Sequence, residues 1–140
     1  MAGGLSHVTF IVRDLDQMEN ILVQVLKAEK VYDSEGKQFS LAAERFFLVG
    51  DVWIAIMEGE SLPDRSYNHV AFQITDNEYD EALAAIQKLG LELREGRPRI
   101  SGEGRSIYFH VADNHLFELH TGTLKGRLES YRRLNSAADK

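Results

Sequence analysis

The amino-acid sequence predicts an α+β fold built from two tandem β-α-β-β-β modules, and three observations lead there. The segments SHVTFIVRD (6–14) and NHVAFQITD (68–76) repeat one another, both reading His-Val-x-Phe-x-Val/Ile-x-Asp. Each is followed by a stretch with apolar residues at three- and four-residue spacing, and then by short extended runs. Each series closes on a strand ending in glycine, Gly59 in the first half and Gly122 in the second. Agreement in element order along the whole chain argues for a duplicated unit rather than for two strands alike by chance.

In the first strand His7, Thr9 and Ile11 fall on one face, and Val8, Phe10 and Val12 on the other. In its repeat His69, Ala71 and Gln73 oppose Val70, Phe72 and Ile74. The first helical pattern follows Asp14 and runs through Leu15, Met18, Ile21, Leu22, Val25 and Leu26. The second follows Asp76 and runs through Tyr79, Leu83, Ile86 and Leu89. Thr75-x-x-Glu78 predicts a capping box, and Gly90 a glycine stop. The extended runs are KVYDS and ERFFLVGDVWIAIMEG, then RSIYFHVADNHLFELHTG, with Gly50-Asp51 and Asp113-Asn114 at hairpin turns. Module one therefore spans about 4–59, a linker with Pro63 covers 60–66, module two about 67–122, and a C-terminal helix 123–135. All of 1–140 is expected to form a single domain.

Hydrophobic residues make up 44% and charged residues 27%, the composition of a globular chain able to bury a core. The formal charge of −6 argues against nucleic acid and anionic membrane surfaces as partners. The absence of cysteine excludes disulfides, thiolate metal sites and a cysteine nucleophile. MAGGLSHVTF has no basic segment ahead of an apolar run, and no stretch approaches about 18 apolar residues. A soluble cytoplasmic protein is expected.

Two modules related by a pseudo-twofold are expected to set their first strands side by side, with His7 and His69 facing each other across the seam. A single strand histidine is more often an ordinary core or surface residue. Two at equivalent positions of a repeat tip the reading toward a first-row divalent metal such as Mn, Fe, Co, Ni or Zn. The third ligand is expected from the last strand, where Glu118 alternates between Phe117 and Leu119. An acid there is costly unless paired or metal-bound. Counting back from the terminal glycines, its counterpart in module one is Ala55, which cannot ligate. Two His and one Glu leave coordination positions open, as catalytic sites do. His120 shares the strand face of Glu118 and is the reserve ligand; His115 lies nearby, and His110 is expected at the surface.

Paired β-α-β-β-β modules with these His and Glu positions resemble the vicinal oxygen chelate superfamily. The segments LSHVTFIVRDL, FSLAAERFFLVGDVWIAIMEG, RSYNHVAFQI and GEGRSIYFHVADNHLFELHTGTLKGRL are similar, more narrowly, to fosfomycin-resistance proteins of the hydrolytic FosX type, from about Gly4 to Arg133. The resemblance implies a Mn(II)-dependent epoxide hydrolase that adds water to fosfomycin, with the metal on His7, His69 and Glu118. It implies a general-base carboxylate at Glu44, which the thiol-transferring relatives lack, and phosphonate contacts from Thr9, Tyr67, Tyr108 and Arg127. It also implies a domain-swapped homodimer in which different subunits supply the two histidines of one site.

Read from its strand alone, Glu44 heads an apolar face with Phe46 and Leu48. It is either a desolvated base with a raised pKa or a solvated rim residue beside Arg45. Thr9 shares the His7 face and Tyr67 the His69 face, so both could reach the metal. Tyr108 could equally be a core aromatic, and Arg127 a surface helix charge. Arg94, Arg97, Arg99 and Arg105 crowd around SGEGRS, and most of them are expected in a solvated loop. The glutathione-using relatives carry a lysine where Pro98-Arg99 stands, so no potassium site is carried over. Two rival functions are a metal-dependent thiol transferase and a drug-sequestering protein of the bleomycin-resistance kind. The second has no need of the His7/His69/Glu118 set.

Overall fold

The structure is a computed structural model that describes residues 1–37 and 39–138. Module one comprises β1 (His7–Val12), α1 (Leu15–Leu26), β2 (Glu29–Asp33), β3 (Glu44–Val49) and β4 (Val52–Glu58). Module two comprises β5 (His69–Gln73), α2 (Tyr79–Lys88), β6 (Leu93–Arg94), β7 (Ser106–His110) and β8 (Leu116–His120). A terminal helix α3 (Leu124–Ala138) follows. The strand orders are β1-β4-β3-β2 and β5-β8-β7-β6, with the first strand of each module parallel to the last and the rest antiparallel. The two sheets have the same topology, as a duplicated β-α-β-β-β unit requires.

Local chemistry sets the element ends. The Asp14 carboxylate accepts the Gln17 backbone N–H and caps α1. Thr75 and Glu78 form the predicted capping box, one turn ahead of α2 in a short 3₁₀ segment at Asp76–Glu78. Gly90 ends that helix at φ +68, which a side chain would disfavour. The β3–β4 hairpin closes through Gly50-Asp51 between the paired Val49 and Val52. Asp113 and Asn114 both take positive φ in the β7–β8 connection, as asparagine and aspartate do most readily.

Both sheets, α1 and α2 contribute their apolar side chains to one core. Phe10 and Val12 of β1 join Met18, Ile21, Leu22 and Val25 of α1, and Phe72, Ile86, Phe109 and Phe117 of module two. Phe117 is fully buried and its ring lies 5.1 Å from Phe10, 5.2 Å from Phe72 and 6.0 Å from Phe109. The joint between modules is also polar. Asp113 takes hydrogen bonds from Arg13 and Ser61, Asn114 donates to the Leu62 carbonyl at 2.7 Å, and His115 Nε2 donates to the Ile11 carbonyl at 2.9 Å.

The expectation that His7 and His69 meet across a seam within one chain is corrected. β1 and β5 each stand at the end of their own sheet, with β4 and β8 as single neighbours. Among the described residues, no helix is long and apolar enough to cross a membrane.

Candidate metal and phosphonate site

Strand pairing decides which side chains share a face. On the second sheet the face away from the core carries His69 and Ala71, then Leu116, Glu118 and His120, then Ser106, Tyr108 and His110. On the first sheet the matching face carries His7 and Thr9, then Trp53, Ala55 and Met57, then Glu44, Phe46 and Leu48.

The centre of the second face is Glu118, whose side chain is 6% exposed. Its Oε1 lies 3.0 Å from His69 Nε2. His69 Nδ1 is 2.7 Å from the Tyr67 carbonyl, which can only accept, so Nδ1 carries the proton and Nε2 presents a lone pair. A lone pair facing a carboxylate oxygen at hydrogen-bond distance calls for a cation, either a second imidazole proton or a metal ion. Two donors about 2.1 Å from one ion and at right angles lie about 3 Å apart. Imidazole with carboxylate is also a donor set that first-row divalent ions accept. The pair therefore fits a metal. His7 does not join it in the same chain: among the described residues, no group of three or more His, Asp or Glu is placed to hold an ion. His7 stacks on Trp53 at 4.1 Å, with Nδ1 3.0 Å from Ser6 Oγ, on the exposed end strand of the other sheet.

The remaining groups form a hydrogen-bonded chain through Glu118 Oε2. Ser106 Oγ donates to it at 2.6 Å and lies 2.7 Å from His120 Nδ1, while Arg127 Nη2 donates to His120 Nε2 at 3.3 Å. An arginine only donates, so His120 Nε2 accepts and Nδ1–H donates to Ser106. Burial lowers the His120 pKa, with Arg127 and Arg99 acting the same way against Glu118, so the ring is neutral at pH 7. Both ring nitrogens are thus occupied, and the reserve-ligand role is not taken up.

Arg99 enters the same cluster. Its Nη2 donates to Tyr108 Oη at 2.8 Å and Ser106 Oγ at 2.9 Å, and lies 3.4 Å from Glu118 Oε2. Among the described residues its buried Nε and Nη1 have no hydrogen-bond partner; Nη1 faces the Glu103 carboxylate at 3.9 Å, which leaves Nε as the donor without any partner. Tyr108 is buried, takes a hydrogen bond from Tyr67 at 3.0 Å, and has its pKa raised by that burial, so it stays a neutral phenol. Tyr67 is half-exposed beside His69 at 4.8 Å. Thr9 lies on the first sheet but lines one groove with His69, floored by the linker around Pro63.

Glu44 is buried at the end of β3, its backbone N–H bonded to Ser34 Oγ and its carbonyl to the Ser34 N–H. The solvated-rim reading is corrected, because neighbouring Arg45 points to the opposite face and binds Asp16, Glu19 and Asp33 there. His110 is a second correction: it is buried, with no hydrogen-bond partner for Nδ1 among the described residues, and desolvation lowers its pKa. Strand parity from Tyr108 would have placed it on this face. Of the four loop arginines, Arg94, Arg97 and Arg105 are exposed, as expected for most of them. Arg97 nevertheless binds buried Glu103 and Arg105 lies over Tyr79 at 3.9 Å, and Arg99 departs from the expectation by reaching the site. Ser106 could have been found by its two-residue spacing from Tyr108. Nothing in the loop sequence singles out Arg99.

The family model for the Glyoxalase/Bleomycin resistance protein/Dioxygenase superfamily matches residues 4–119. The fosfomycin resistance protein FosX of Mesorhizobium japonicum is 59% identical over 91% of this chain and 92% of its own. The crystal structure of a mutant FosX of Listeria monocytogenes, complexed with Mn(II) and 1S,2S-dihydroxypropylphosphonic acid, superposes with a TM-score of 0.85 at 51% identity. It covers 94% of this chain and 99% of that one. The metallothiol transferase FosB of Staphylococcus saprophyticus is more distant, at 34% identity over 94% of this chain and 85% of its own. The chain belongs to the Glyoxalase/Bleomycin resistance protein/Dioxygenase superfamily and, within it, to the FosX fosfomycin resistance proteins.

Proposed function

We propose that this protein is a Mn(II)-dependent epoxide hydrolase that adds water to fosfomycin and so confers resistance to it. The observation that carries the reading is the His69–Glu118 pair, a lone pair held against a carboxylate oxygen, beside Arg99, whose buried Nε has no hydrogen-bond partner among the described residues. The diol phosphonate bound to the Listeria relative is the species that water addition to an epoxypropylphosphonate yields. Its Mn(II) matches the donor types present here.

His69 and Glu118 hold the ion from one chain and His7 from a second, in a domain-swapped homodimer. What supports this assembly is the placement of His7 and His69 on the two end strands, each with one neighbour in its sheet. Apposing β1 of one copy to β5 of another brings the Glu44 face of the first over the Glu118 face of the second. Residues 1–140 act as one such domain, and a cytoplasmic setting is part of the same reading.

The phosphonate dianion is bound by Arg99 and Arg127, with hydroxyls from Tyr108, Tyr67 and Thr9. When bound, the ion supplies Lewis-acid polarisation of the epoxide C–O bond. Glu44 accepts a proton from water as its oxygen bonds to an epoxide carbon. That carbon's bond to the ring oxygen breaks, and the proton taken up by Glu44 returns through solvent to the ring oxygen, completing the diol and freeing the base. Burial of Glu44 supports this role, because it limits the contact of its carboxylate with bulk solvent.

Phosphorus NMR of fosfomycin incubated with the protein and Mn(II), with and without added glutathione or bacillithiol, tests the reading. Diol without thiol is expected. A thiol adduct as the sole product would favour the transferase chemistry of the FosB relatives, and stoichiometric binding without product would favour sequestration.

A further inference from the structure

We propose that Glu103 is a positioning residue that sets Arg99 and Arg127 for the phosphonate, an inference that rests on reading the Glu118 face as the anion site. Glu103 is 1% exposed in the loop between β6 and β7. Its carboxylate accepts both Arg97 terminal nitrogens, Nη2 at 2.6 Å and Nη1 at 3.2 Å. It also accepts the Ile100 N–H at 2.9 Å and Tyr131 Oη, from α3, at 2.8 Å. The paired Arg97 guanidinium, ahead of the other contacts, holds the carboxyl well below the usual range, so it is an anion throughout the working pH.

The same oxygen, Oε1, lies 3.9 Å from Arg99 Nη1 and 3.7 Å from Arg127 Nε. These are the two guanidiniums whose other ends reach Tyr108, Ser106 and His120. Two cations this close repel one another unless an anion stands between them, and Glu103 is the anion behind them. Two glycines allow it to be there. A Cβ on Gly104, at φ +83, would run into the Gly122 backbone, and one on Gly122 would run into the Glu103 carbonyl. The bare backbone at the end of β8 thus lets the loop close onto the site.

Two effects of removing this charge have opposite signs. By Coulomb attraction alone, neutralising an acid near the site strengthens anion binding. Releasing the two arginines from their common anchor weakens it. The test is Glu103→Gln in the full-length protein loaded with Mn(II). Fosfomycin KM and kcat, calorimetric binding of inorganic phosphate, and Mn(II) affinity by electron paramagnetic resonance are read together.

The expected result is a rise of about tenfold in both KM and the phosphate Kd, the size of a lost charge-assisted hydrogen bond. Mn(II) affinity should be unchanged and kcat altered by less than about threefold. KM and phosphate Kd that stay level or fall overturn the proposal, and so does a loss of Mn(II) affinity in step with them. Should Glu103→Gln not fold, Tyr131→Phe removes one bond to the carboxylate at a partly exposed residue, and an increase of about threefold in phosphate Kd is expected. An unchanged value again overturns the proposal. A wild-type protein without fosfomycin turnover would sink the hydrolase reading, while phosphate binding by the variants still decides the role of Glu103.

Discussion

Ala55 and Glu118 occupy the same place in the two modules. Ala55 is paired with Thr9, two residues past His7, and Glu118 with Ala71, two residues past His69. The correspondence extends sideways, with Phe46 opposite Ala55 as Tyr108 is opposite Glu118, and Glu44 opposite Met57 as Ser106 is opposite His120. One scaffold has therefore diverged into two unlike faces. The first keeps an imidazole and a buried carboxylate, and the second imidazoles and a buried carboxylate with the Arg99 guanidinium beside it.

Replacing Glu118 by glutamine leaves the shape but removes the charge that faces the His69 lone pair. Mn(II) affinity is expected to fall on the order of 100-fold or more, since imidazole alone holds the ion weakly. Wild-type affinity in a paramagnetic resonance titration would refute the ligand assignment.

Glu44→Gln separates base from ligand. Diol formation should drop by about 10²–10⁴ in kcat, the usual range for a positioned base. Mn(II) binding should persist, because Glu44 is not one of the proposed ligands His7, His69 and Glu118. Comparable turnover in the variant would remove Glu44 from the mechanism.

Arg99→Lys keeps a cation but loses the planar fork that serves Tyr108, Ser106 and the incoming anion together. Fosfomycin KM should rise about tenfold or more, with a smaller change in kcat. An unaltered KM would show that the charge, and not the fork, is what matters.

Stability should depend on pH through the buried histidines. Desolvation depresses His110 and His120 below the ordinary value of 6.5. As the pH falls through that value the unfolded chain takes up protons that the folded chain refuses. The unfolded state then binds more protons, so stability is fully present above pH 6.5 and is lost on acidification toward the folded-state pKa values. The metal-free protein should show a Tm that is level from pH 8 to about 7 and declines toward pH 5, with a shallower decline in His110→Asn. An equal decline in that variant would assign the effect elsewhere.

Phe117→Ala tests the shared core. The ring joins β1, β5 and β7 through Phe10, Phe72 and Phe109, and its loss should cost about 3–5 kcal/mol in denaturant unfolding. Two separate unfolding transitions in the variant would mean that the modules had come apart.

Much of this was legible in local patterns. The His-Val-x-Phe repeat, the Thr75–Glu78 box and the Gly50-Asp51 turn act over a few residues, and the chain folds as they dictate. Glu118 was visible because an acid between Phe117 and Leu119 breaks an apolar alternation. The arginines were not separable, because Arg97, Arg99 and Arg105 differ only in what the loop meets after it closes on β7, β8 and α3. His110 lies two residues past Tyr108, so the strand period carries it to the Glu118 face, where Leu116 is its partner. The seam between β1 and β5 is not legible for another reason: among the described residues these strands pair with β4 and β8 alone, and no local pattern says which copy lies across an open edge.

The central claim is that one site is assembled from His7 and Glu44 of one copy and His69 and Glu118 of another. Mixing inactive His7→Ala protein with inactive His69→Ala protein, after unfolding and joint refolding, tests it most directly. Half of the dimers should then be mixed, and each should hold one intact site, restoring about a quarter of wild-type Mn(II)-dependent diol formation. A mixture as inactive as either variant alone would contradict the account.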